Sequence, residues 1–379
     1  MIPKRIHKKL KERKENNAFR ELGAASNLVD FSSNDYLGFS NSEDIFDKTH
    51  QYIINNNLKK NGATGSRLLS GNDLLYTNIE NDLSTIHNSE AALIYNSGYN
   101  ANIGLLASVP QRDDIILYDE HVHASIRDGI SMSNAKNYKF KHNNLEDLEQ
   151  KCKIKCNRDL NNSDIYIVTE SVFSMDGDTP QILKILELCK VYNAHLIIDE
   201  AHALGVFKYG LLQEYNLENE VFARIITFGK AIGCHGAAVL GSKALKNYLI
   251  NFSRSFIYTT ALPPHTLVTI KTIYKALEST NEIKKLKENI SYFKLEINRL
   301  ELQNKFINSD SAIHCYIISG NEKVKSIAQK FHNKGYNVKP ILSPTVPIGK
   351  ERLRFCLHSY NSKKEISEVL SLLATFVTK

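Results

Sequence analysis

Short apolar segments alternate with helical patterns along residues 72–240 of this 379-residue chain. The segments are apolar without strict alternation of polar positions, a pattern typical of parallel strands that helices cover on both faces. We therefore predict an α/β fold with a mostly parallel sheet. The six predicted strands are residues 91–95, 115–119, 164–170, 194–200, 224–229 and 237–241.

The last third of the chain has a different organisation. Long helical patterns cover about residues 264–304, and strand-like and helix-like segments alternate from about residue 306. We therefore predict a smaller C-terminal α/β domain after connecting helices. The predicted divisions are an N-terminal helix and segment over residues 1–45, a large domain over residues 46–262, and the connecting helices with the small domain over residues 263–379.

The chain is modestly basic, with a formal net charge of +7. Basic residues are dense between positions 4 and 14, but Ile2, Ile6 and Leu10 recur on one side of a helix there. The lysines and arginines are therefore predicted to form the solvated face of that helix, and we expect no nucleic-acid partner. The charge favours either attraction of an acidic substrate, such as a coenzyme A thioester or an acyl carrier protein, or simple solubility.

Membrane and disulfide signals are weak in this sequence. No segment approaches the roughly 18 consecutive apolar residues of a membrane span, and the N-terminal residues lack the apolar core of a signal peptide. We therefore expect a cytoplasmic protein with no membrane span. The cysteines are scattered without a CxxC pair, which argues against a zinc ribbon or a disulfide framework. They are Cys152, Cys156, Cys189, Cys234, Cys315 and Cys356.

Chemically active side chains follow five of the predicted strands. In open parallel sheets, ligands bind outside the carboxyl ends of the strands. We therefore expect these side chains to meet at one edge of the sheet. In chain order they are Asn96, Ser97, Gly98 and Tyr99, then His121 and His123, then Ser171 and Ser174, then Asp199 and His202, and finally Lys230.

Lys230 is the first candidate for chemistry. It lies in the segment TFGKAIGCHGAAVLG, where glycines and small residues predict a tight turn beside an apolar strand. A lysine with a depressed pKa can form a Schiff base with a carbonyl, as lysines of pyridoxal phosphate enzymes do. The alternative is a surface lysine whose apolar stem packs beside a glycine-rich loop.

Asp199 and Gly98 each allow two interpretations. Asp199 ends an apolar strand, where a carboxylate needs a cation or hydrogen bonds; a protonated pyridine nitrogen would serve, and so would a role as a helix cap. Gly98 opens a helix-like segment whose N–H groups could bind a phosphate, or it belongs to an ordinary strand-to-helix turn. His202 could support Asp199 or bind the phenolic oxygen of a cofactor.

The pair His121 and His123 allows three interpretations. The two imidazoles could be metal ligands on one strand face. One of them could instead stack on a flat aromatic ring, or both could be structural. Spacing identifies no third ligand, so we expect no metal site.

Nine segments, in order along nearly the whole chain, resemble the α-oxoamine synthases. These are pyridoxal phosphate enzymes with the aspartate aminotransferase fold, known as fold type I. The resemblance implies this fold for the large domain, pyridoxal phosphate as the cofactor, and a homodimer. The segments are FSSNDYLGFS (31–40), GATGSRLLSGN (62–72), NSGYNAN (96–102), HASI (123–126), TESVFSMDGD (169–178), IIDEAHALGVF (197–207), TFGKAIGCHGAAVLGS (227–242), IYTTALPP (257–264) and PTVPIGKERLRF (344–355).

The resemblance implies roles for the residues that match the family's motifs. Lys230 would carry the cofactor and later move the Cα proton of the substrate, with Asp199 on the pyridine nitrogen and His123 stacked on the ring. His202 would contact the ring oxygen, and Thr260 would reach the phosphate in the neighbouring subunit. Further contacts would come from Gly98, Tyr99, Ser174 and Thr227 to the cofactor, and from Arg20, Asn34, Ser66 and Arg354 to the substrates.

The resemblance also implies a decarboxylating condensation of an amino acid with an acyl thioester. Ser66 stands where glycine-specific members tend to have a bulkier threonine, which favours L-alanine, and a pimeloyl thioester of biotin biosynthesis is the expected acyl donor. Leu342 departs from the arginine that many pimeloyl-using members carry. The alternatives are glycine with acetyl coenzyme A, or serine or alanine with a long acyl chain.

Overall fold

The structure is a computed structural model that describes residues 2–22, 27–156 and 163–377. It confirms the predicted α/β class. The strands are β1 (Val29–Asp30), β2 (Ala91–Tyr95), β3 (Ile115–Asp119), β4 (Lys136–Phe140), β5 (Ile165–Glu170), β6 (Ala194–Asp199), β7 (Ala223–Thr227), β8 (Ala237–Gly241), β9 (Ile313–Ile317), β10 (Tyr336–Asn337), β11 (Lys339–Ile341) and β12 (Arg352–Cys356). The α-helices are α1 (Lys4–Glu15), α2 (Glu43–Asn55), α3 (Leu74–Ile86), α4 (Gly98–Ser108), α5 (Ala124–Met132), α6 (Leu145–Cys156), α7 (Ile182–Tyr192), α8 (Leu211–Glu214), α9 (Lys243–Phe252), α10 (Arg254–Ile257), α11 (Pro264–Ser279), α12 (Glu282–Arg299), α13 (Asn321–Asn333) and α14 (Lys363–Val377).

The chain folds into two compact units. The larger unit consists of Leu37–Phe173 and Thr179–Ile283, and the smaller unit of Met1–Tyr36, Ser174–Asp178 and Lys284–Lys379. The domain bounds that we drew from the sequence, at residues 45 and 262, stay a prediction.

The larger unit is built on a seven-stranded sheet with the order β2-β8-β7-β6-β5-β3-β4. Strands β7, β6, β5, β3 and β4 run parallel to one another, whereas β8 is antiparallel to both β2 and β7. The prediction of a mostly parallel sheet is therefore confirmed. Because β2 and β7 are both antiparallel to β8, they run in the same direction, and their last residues, Tyr95 and Thr227, both pair with Ala237. The carboxyl ends of β2, β3, β5, β6 and β7 consequently lie at one edge, as the sequence predicted.

Helices cover both faces of this sheet, which explains the continuous apolar strands. On β6, Ile197 packs in one hydrophobic cluster with Leu105 of α4 and Ile126 of α5. Its neighbours Leu196 and Ile198 pack in a second cluster on the opposite face. Alternate residues of the strand therefore enter two different cores, so neither set of positions can be polar.

Strand β4 was missed by the sequence reading. Its residues KNYKF are mostly exposed, and within the described residues the strand pairs only with β3. A polar strand at a sheet edge protects the sheet from pairing with other chains, but it lacks the apolar pattern that identifies a strand.

Side-chain caps start several helices of the larger unit. Ser42, Asp73, Ser97 and Ser242 each precede a helix, and each accepts a hydrogen bond from a backbone N–H of the first turn. Such caps satisfy donors that have no partner inside the helix. The start of α4 after β2 is set in this way by Ser97.

The smaller unit contains the three-stranded antiparallel sheet β11-β12-β9 and the parallel pair of β1 with β10. Its core is rich in aromatic rings; Phe355 of β12 lies 5.9 Å from both Phe293 of α12 and Phe331 of α13. The strands at residues 313–317 and 352–356 and the helices α13 and α14 confirm the predicted α/β character of the C-terminal region.

The N-terminal helix α1 also forms as predicted, but its apolar side is not buried. Ile6 and Leu10 are 50% and 42% exposed, and α1 has no buried residue. Both faces of this helix are therefore accessible in the single chain.

The described helices include none that is long and apolar enough to cross a membrane. The cysteines at positions 152, 189, 234, 315 and 356 carry thiols and not disulfides. The side chain of Cys156 lies outside the described part of the chain.

Candidate active site

Lys230 lies in a tight loop between β7 and β8, as the glycine-rich sequence predicted. The N–H of Gly233 donates to the carbonyl of Lys230 at 2.8 Å. Gly233 and Gly236 have φ of +62° and +108°, which side-chain-bearing residues rarely adopt. A Cβ at Gly233 would lie 2.3 Å from the backbone nitrogen of Ser40. Close backbone packing therefore fixes the loop that carries the lysine.

Asp199 is the last residue of β6 and is 6% exposed. Its Oδ1 accepts a hydrogen bond from the N–H of Ala201 at 2.8 Å, and its Oδ2 accepts one from Asn102 Nδ2 at 2.8 Å. The first bond closes a local turn of the kind that aspartate side chains often make. The residues directly after Asp199 form turns and no α-helix, so Asp199 does not cap a helix. Only its Oδ1 stabilises the local backbone, as the acceptor in this turn.

His123 precedes α5, and two donors converge on its Nδ1. The N–H of Ser125 lies 3.2 Å from Nδ1, and the hydroxyl of Ser125 lies 2.8 Å from it. Although His123 is exposed as a whole, this edge of its ring faces the buried Ser125. Desolvation lowers the pKa of His123; the charge of Asp199 opposes this effect and that of Lys230 adds to it. The imidazole is therefore neutral at neutral pH, with one face available for stacking.

Glu170 is a buried acid beside this histidine. It ends β5, pairs in register with Asp199 on β6, and is 3% exposed. Its Oε1 accepts the backbone N–H of His123 at 2.5 Å. Burial, followed by the charge of Asp199, raises the pKa of Glu170 to about 8, and the charge of Lys230 opposes that rise. Glu170 therefore keeps its proton at neutral pH.

The first turn of α4 and the end of β7 form a cradle of polar donors. Gly98 is the first residue of α4, and a Cβ there would lie 3.4 Å from Oγ1 of Thr227. The N–H of Gly229 donates to Thr227 Oγ1 at 3.4 Å, and the hydroxyl of Thr227 donates to the carbonyl of Gly236 at 3.2 Å. The N–H groups of a helix start attract anions, so this arrangement is suited to a phosphate.

Tyr99 and Thr260 lie beside the same helix start. Tyr99 is 47% exposed, and its hydroxyl donates to Asp128 at 2.7 Å. Thr260 is exposed, and its carbonyl lies 3.5 Å from the side-chain amide of Asn96. The backbone of Thr260 therefore lies beside Asn96, two residues before the first residue of α4.

Two further predicted residues are buried in the larger unit. His202 is 4% exposed and lies in the turns after β6. Ser66 is 9% exposed, and its carbonyl accepts the N–H of Gly71 at 2.9 Å in a closed loop.

His121 has a different environment from His123. Its ring stacks on that of His142, with centroids 4.1 Å apart, and its backbone N–H donates to Asp119 at 2.8 Å. The Nδ1 of His142 lies 2.9 Å from the same carboxylate. The two histidines of the HVH segment therefore face different partners.

In the smaller unit, Arg354, Asn34 and Ser174 come together. Arg354 is 6% exposed; its Nε donates to the carbonyl of Ser174 at 2.8 Å and its Nη2 to Oδ1 of Asn34 at 2.9 Å. The hydroxyl of Tyr36 donates to the same Oδ1 at 3.1 Å. These bonds fix the plane of the guanidinium.

Arg20 and Leu342 lie near one another in this unit. Arg20 is exposed, and its Nη2 lies 3.4 Å from Oγ1 of Thr345. Thr345 in turn donates its N–H to the carbonyl of the half-buried Leu342 at 2.9 Å. Arg20 thus contacts the turn over residues 342–345 at Thr345, three residues after the position that departs from the family pattern.

The sequence reading missed Asn102, Ser125 and Glu170. Asn102 lies 97 residues from its partner Asp199 along the chain. Glu170 lies 47 residues from His123. One local signal could have identified Asn102. It is a polar residue at a buried position of α4, where an apolar residue is expected.

Comparisons with known proteins identify the family of this chain. A family model described as aminotransferase class I and II matches residues 26–373. The 8-amino-7-oxononanoate synthase of Emericella nidulans is 37% identical over 384 residues, which cover 93% of this chain and 90% of that protein. A putative 8-amino-7-oxononanoate synthase of Methanococcus vannielii is 36% identical over 96% of each chain.

Two solved structures extend the similarity to the fold. A serine palmitoyltransferase from S. paucimobilis superposes with a TM-score of 0.87 at 21% identity, covering 99% of this chain and 97% of that one. An 8-amino-7-oxononanoate synthase from Francisella tularensis superposes with a TM-score of 0.78 at 27% identity, covering 93% and 98%. The predicted fold type I is therefore confirmed. The chain belongs to the aminotransferase class I and II family and, within it, to the α-oxoamine synthases.

Proposed function

We propose that this protein condenses L-alanine with a pimeloyl thioester, with loss of carbon dioxide, to give 8-amino-7-oxononanoate for biotin biosynthesis. Its family makes it a pyridoxal phosphate-dependent acyltransferase. The names of the relatives at 36–37% identity support the specific reaction. We further propose that it acts as a homodimer in the cytoplasm. The observation that carries the proposal is the group of Lys230, Asp199 and His123 at one edge of the sheet.

The side chains of this edge fit pyridoxal phosphate chemically. The α4 start and the Thr227 hydroxyl suit its phosphate, the Asp199 carboxylate suits a protonated pyridine nitrogen, and the neutral ring of His123 suits a flat aromatic surface. When bound, this cofactor supplies an electron sink for a carbanion at Cα of the substrate. The residues that would hold it are Gly98, Tyr99, His123, Ser174, Asp199, His202, Thr227 and Lys230, with Thr260 from the neighbouring subunit.

Lys230 would move the proton that starts the reaction. A lysine amine released from its linkage to the cofactor is a base at the Cα position of the amino acid, and the same amine returns a proton to the product. The rigid loop around Gly233 holds the lysine for both transfers. Asp199, fixed by Asn102 and Ala201, would keep a negative charge opposite the pyridine nitrogen.

Arg354 would bind the carboxylate of the amino acid, with Asn34 beside it. A planar guanidinium pairs with a carboxylate through two parallel hydrogen bonds, a geometry that an ammonium group does not offer. The bonds from Arg354 to Ser174 and Asn34 set its plane before the substrate binds. Preorganisation of this kind lowers the entropy lost on binding.

Arg20 would contact the acyl donor, together with the turn at residues 342–345. Leu342 favours a second candidate, because an apolar side chain in place of arginine suits a long acyl chain better than the distal carboxylate of a pimeloyl group. This candidate keeps the same cofactor and the same Lys230 chemistry. Only the acyl donor differs.

A substrate panel distinguishes these candidates. Protein loaded with pyridoxal phosphate is offered L-alanine, glycine or L-serine with pimeloyl, acetyl or palmitoyl thioesters, each on coenzyme A and on acyl carrier protein. Release of carbon dioxide and of free thiol is measured. We expect the fastest turnover with L-alanine and a pimeloyl donor, and none from Lys230→Ala, which should still bind the cofactor. Turnover with glycine and acetyl coenzyme A alone would refute the proposal.

A further inference from the structure

We propose that Asn102 and Ser125 form a hydrogen-bonded relay that orients Asp199 and His123 together, as positioning residues for the ring of the cofactor. The relay links the end of β6 to the start of α5 through α4. This inference rests on the proposed cofactor site, and it concerns residues to which the sequence motifs assign no role.

The first step is the amide of Asn102. This residue is 2% exposed, and its Nδ2 lies 2.8 Å from Asp199 Oδ2 and 3.0 Å from Ser125 Oγ. An amide nitrogen has two hydrogens and accepts no bond, so it donates to both partners. The reverse orientation would place the amide oxygen against the carboxylate. The direction of the relay is therefore fixed at this residue.

The amide oxygen of Asn102 shows what this orientation costs. Within the described residues it is buried without a hydrogen-bond partner. A buried polar atom without a partner destabilises the fold, and an apolar side chain of similar volume would avoid the penalty. The two donors of Asn102, and not its packing, therefore give this asparagine its role.

The second step is the hydroxyl of Ser125. Ser125 is 1% exposed, and its oxygen accepts the bond from Asn102. The backbone N–H of Ser125 donates to Nδ1 of His123 at 3.2 Å, which makes that nitrogen an acceptor, so the Ser125 hydroxyl 2.8 Å away donates its own hydrogen to it. A nitrogen that accepts two hydrogen bonds carries no proton, so the neutral ring of His123 bears its proton on Nε2.

The two ends of the relay would act on one edge and one face of a flat cofactor ring. Asp199 would meet the ring at its nitrogen, and His123 would cover one face. The N–H of Ala201 already holds Oδ1 of Asp199, so the bond from Asn102 to Oδ2 fixes the orientation of the carboxylate plane. Loss of Asn102 should therefore disturb both ends, whereas loss of the Ser125 hydroxyl should disturb mainly His123.

Cofactor binding in the absence of substrate tests the relay. Full-length protein is stripped of pyridoxal phosphate and titrated with it, and the pH midpoint of the visible absorbance of the Lys230-linked cofactor is recorded. The variants are Asn102→Leu, Ser125→Ala, their combination, and Ser125→Thr, which keeps the hydroxyl. The matched control is Ser131→Ala, an exposed serine of the same helix whose hydroxyl bonds only to the carbonyl of Asp128 in the described structure.

We expect Asn102→Leu and Ser125→Ala each to raise the dissociation constant for pyridoxal phosphate about tenfold, the loss typical of one hydrogen bond in a charged network. The combined variant should match Asn102→Leu, because residues of one network are not additive. The absorbance midpoint should rise in Asn102→Leu, since a less firmly held proton on the ring nitrogen withdraws less charge from the linkage, and it should change little in Ser125→Ala, which leaves the bond from Asn102 to Asp199 in place. Ser125→Thr should recover most of the affinity, and Ser131→Ala should behave as the wild type.

Three results would overturn the relay. The first is a lower melting temperature with unchanged affinity and midpoint, which would make both residues structural only. The second is full additivity in the combined variant, which would mean that they act independently. The third is wild-type binding by Ser125→Ala, which decides the matter if Asn102→Leu does not fold. No substrate is added, so an error in the assigned substrates leaves these outcomes unchanged, whereas a wild type that fails to bind pyridoxal phosphate refutes the proposed function itself.

Discussion

The buried carboxyl of Glu170 makes the stability of the fold depend on pH in a defined direction. Glu170 is 3% exposed and accepts the N–H of His123, while Asp199 lies beside it in register on the next strand. Burial, with the charge of Asp199, raises its pKa from 4.5 to about 8. Between these values the folded protein holds a proton that the unfolded chain has lost. Unfolding then releases a proton, so stability falls as pH rises through this window.

The size of the effect follows from the same values. A tenfold change in proton affinity is worth about 1.4 kcal/mol, so a rise in pKa from 4.5 to about 8 corresponds to at most about 5 kcal/mol above pH 8. Glu170→Gln removes the titration but keeps an oxygen that accepts the N–H of His123. We therefore expect the two proteins to differ little at pH 5. At pH 9 the variant should be more stable than the wild type by about 2–5 kcal/mol.

Urea unfolding of the cofactor-free proteins at pH 5, 7 and 9 measures this difference. The control is Glu187→Gln, which changes an exposed glutamate on α7 and should follow the wild type at every pH. A difference in the free energy of unfolding between Glu170→Gln and the wild type that is the same at pH 5 and at pH 9 would refute the reasoning. A gap that grows towards low pH would mean that Glu170 is ionised in the folded protein.

Three further predictions follow from single positions. Arg354→Lys should raise KM for the amino acid at least about tenfold with a smaller change in KM for the acyl donor, because lysine cannot make the planar grip; steady-state kinetics with each substrate varied in turn measures this. Gly233→Ala should lower the free energy of unfolding by more than Gly335→Ala, since both have positive φ but only the former meets backbone atoms, at 2.3 Å; equal losses in urea unfolding would contradict this. Leu342→Arg should lower KM for a pimeloyl donor and raise KM for a palmitoyl donor if the turn at residues 342–345 lines the acyl site, and parallel changes for both donors would argue against that placement.

The sheet and the loop of Lys230 could be predicted from the sequence because their signals are local. The strands β2, β5 and β7 are wholly buried, and most of their residues are apolar, so each forms a short apolar run that identifies a strand. The loop needs positive φ at Gly233 and Gly236, and only glycine adopts such angles without strain. For both features, the residues that determine the structure are neighbours within one segment of the chain.

The relay and Glu170 could not be predicted because their partners are remote along the chain. The bond from Asn102 to Ser125 spans 23 residues, that from Asn102 to Asp199 spans 97, and that from Glu170 to His123 spans 47. Periodicity identifies which face of an element is buried, but it does not identify what a buried polar group will meet there. Strand β4 could not be predicted for a different reason. Its local pattern is polar, and it is a strand because it pairs with β3.

The placement of two acids on adjacent strand ends explains why the site needs both a relay and a buried proton. Asp199 and Glu170 pair in register, so two carboxylates at this edge would repel each other strongly. Burial and the Asp199 charge together keep the proton on Glu170 at neutral pH, and the neutral carboxyl still accepts the N–H of His123. Asp199 accepts two hydrogen bonds, one from Asn102 and one from Ala201. The proton on Glu170 thus removes the repulsion between the two acids, and we propose that Asp199 is the one that faces the ring nitrogen of the cofactor.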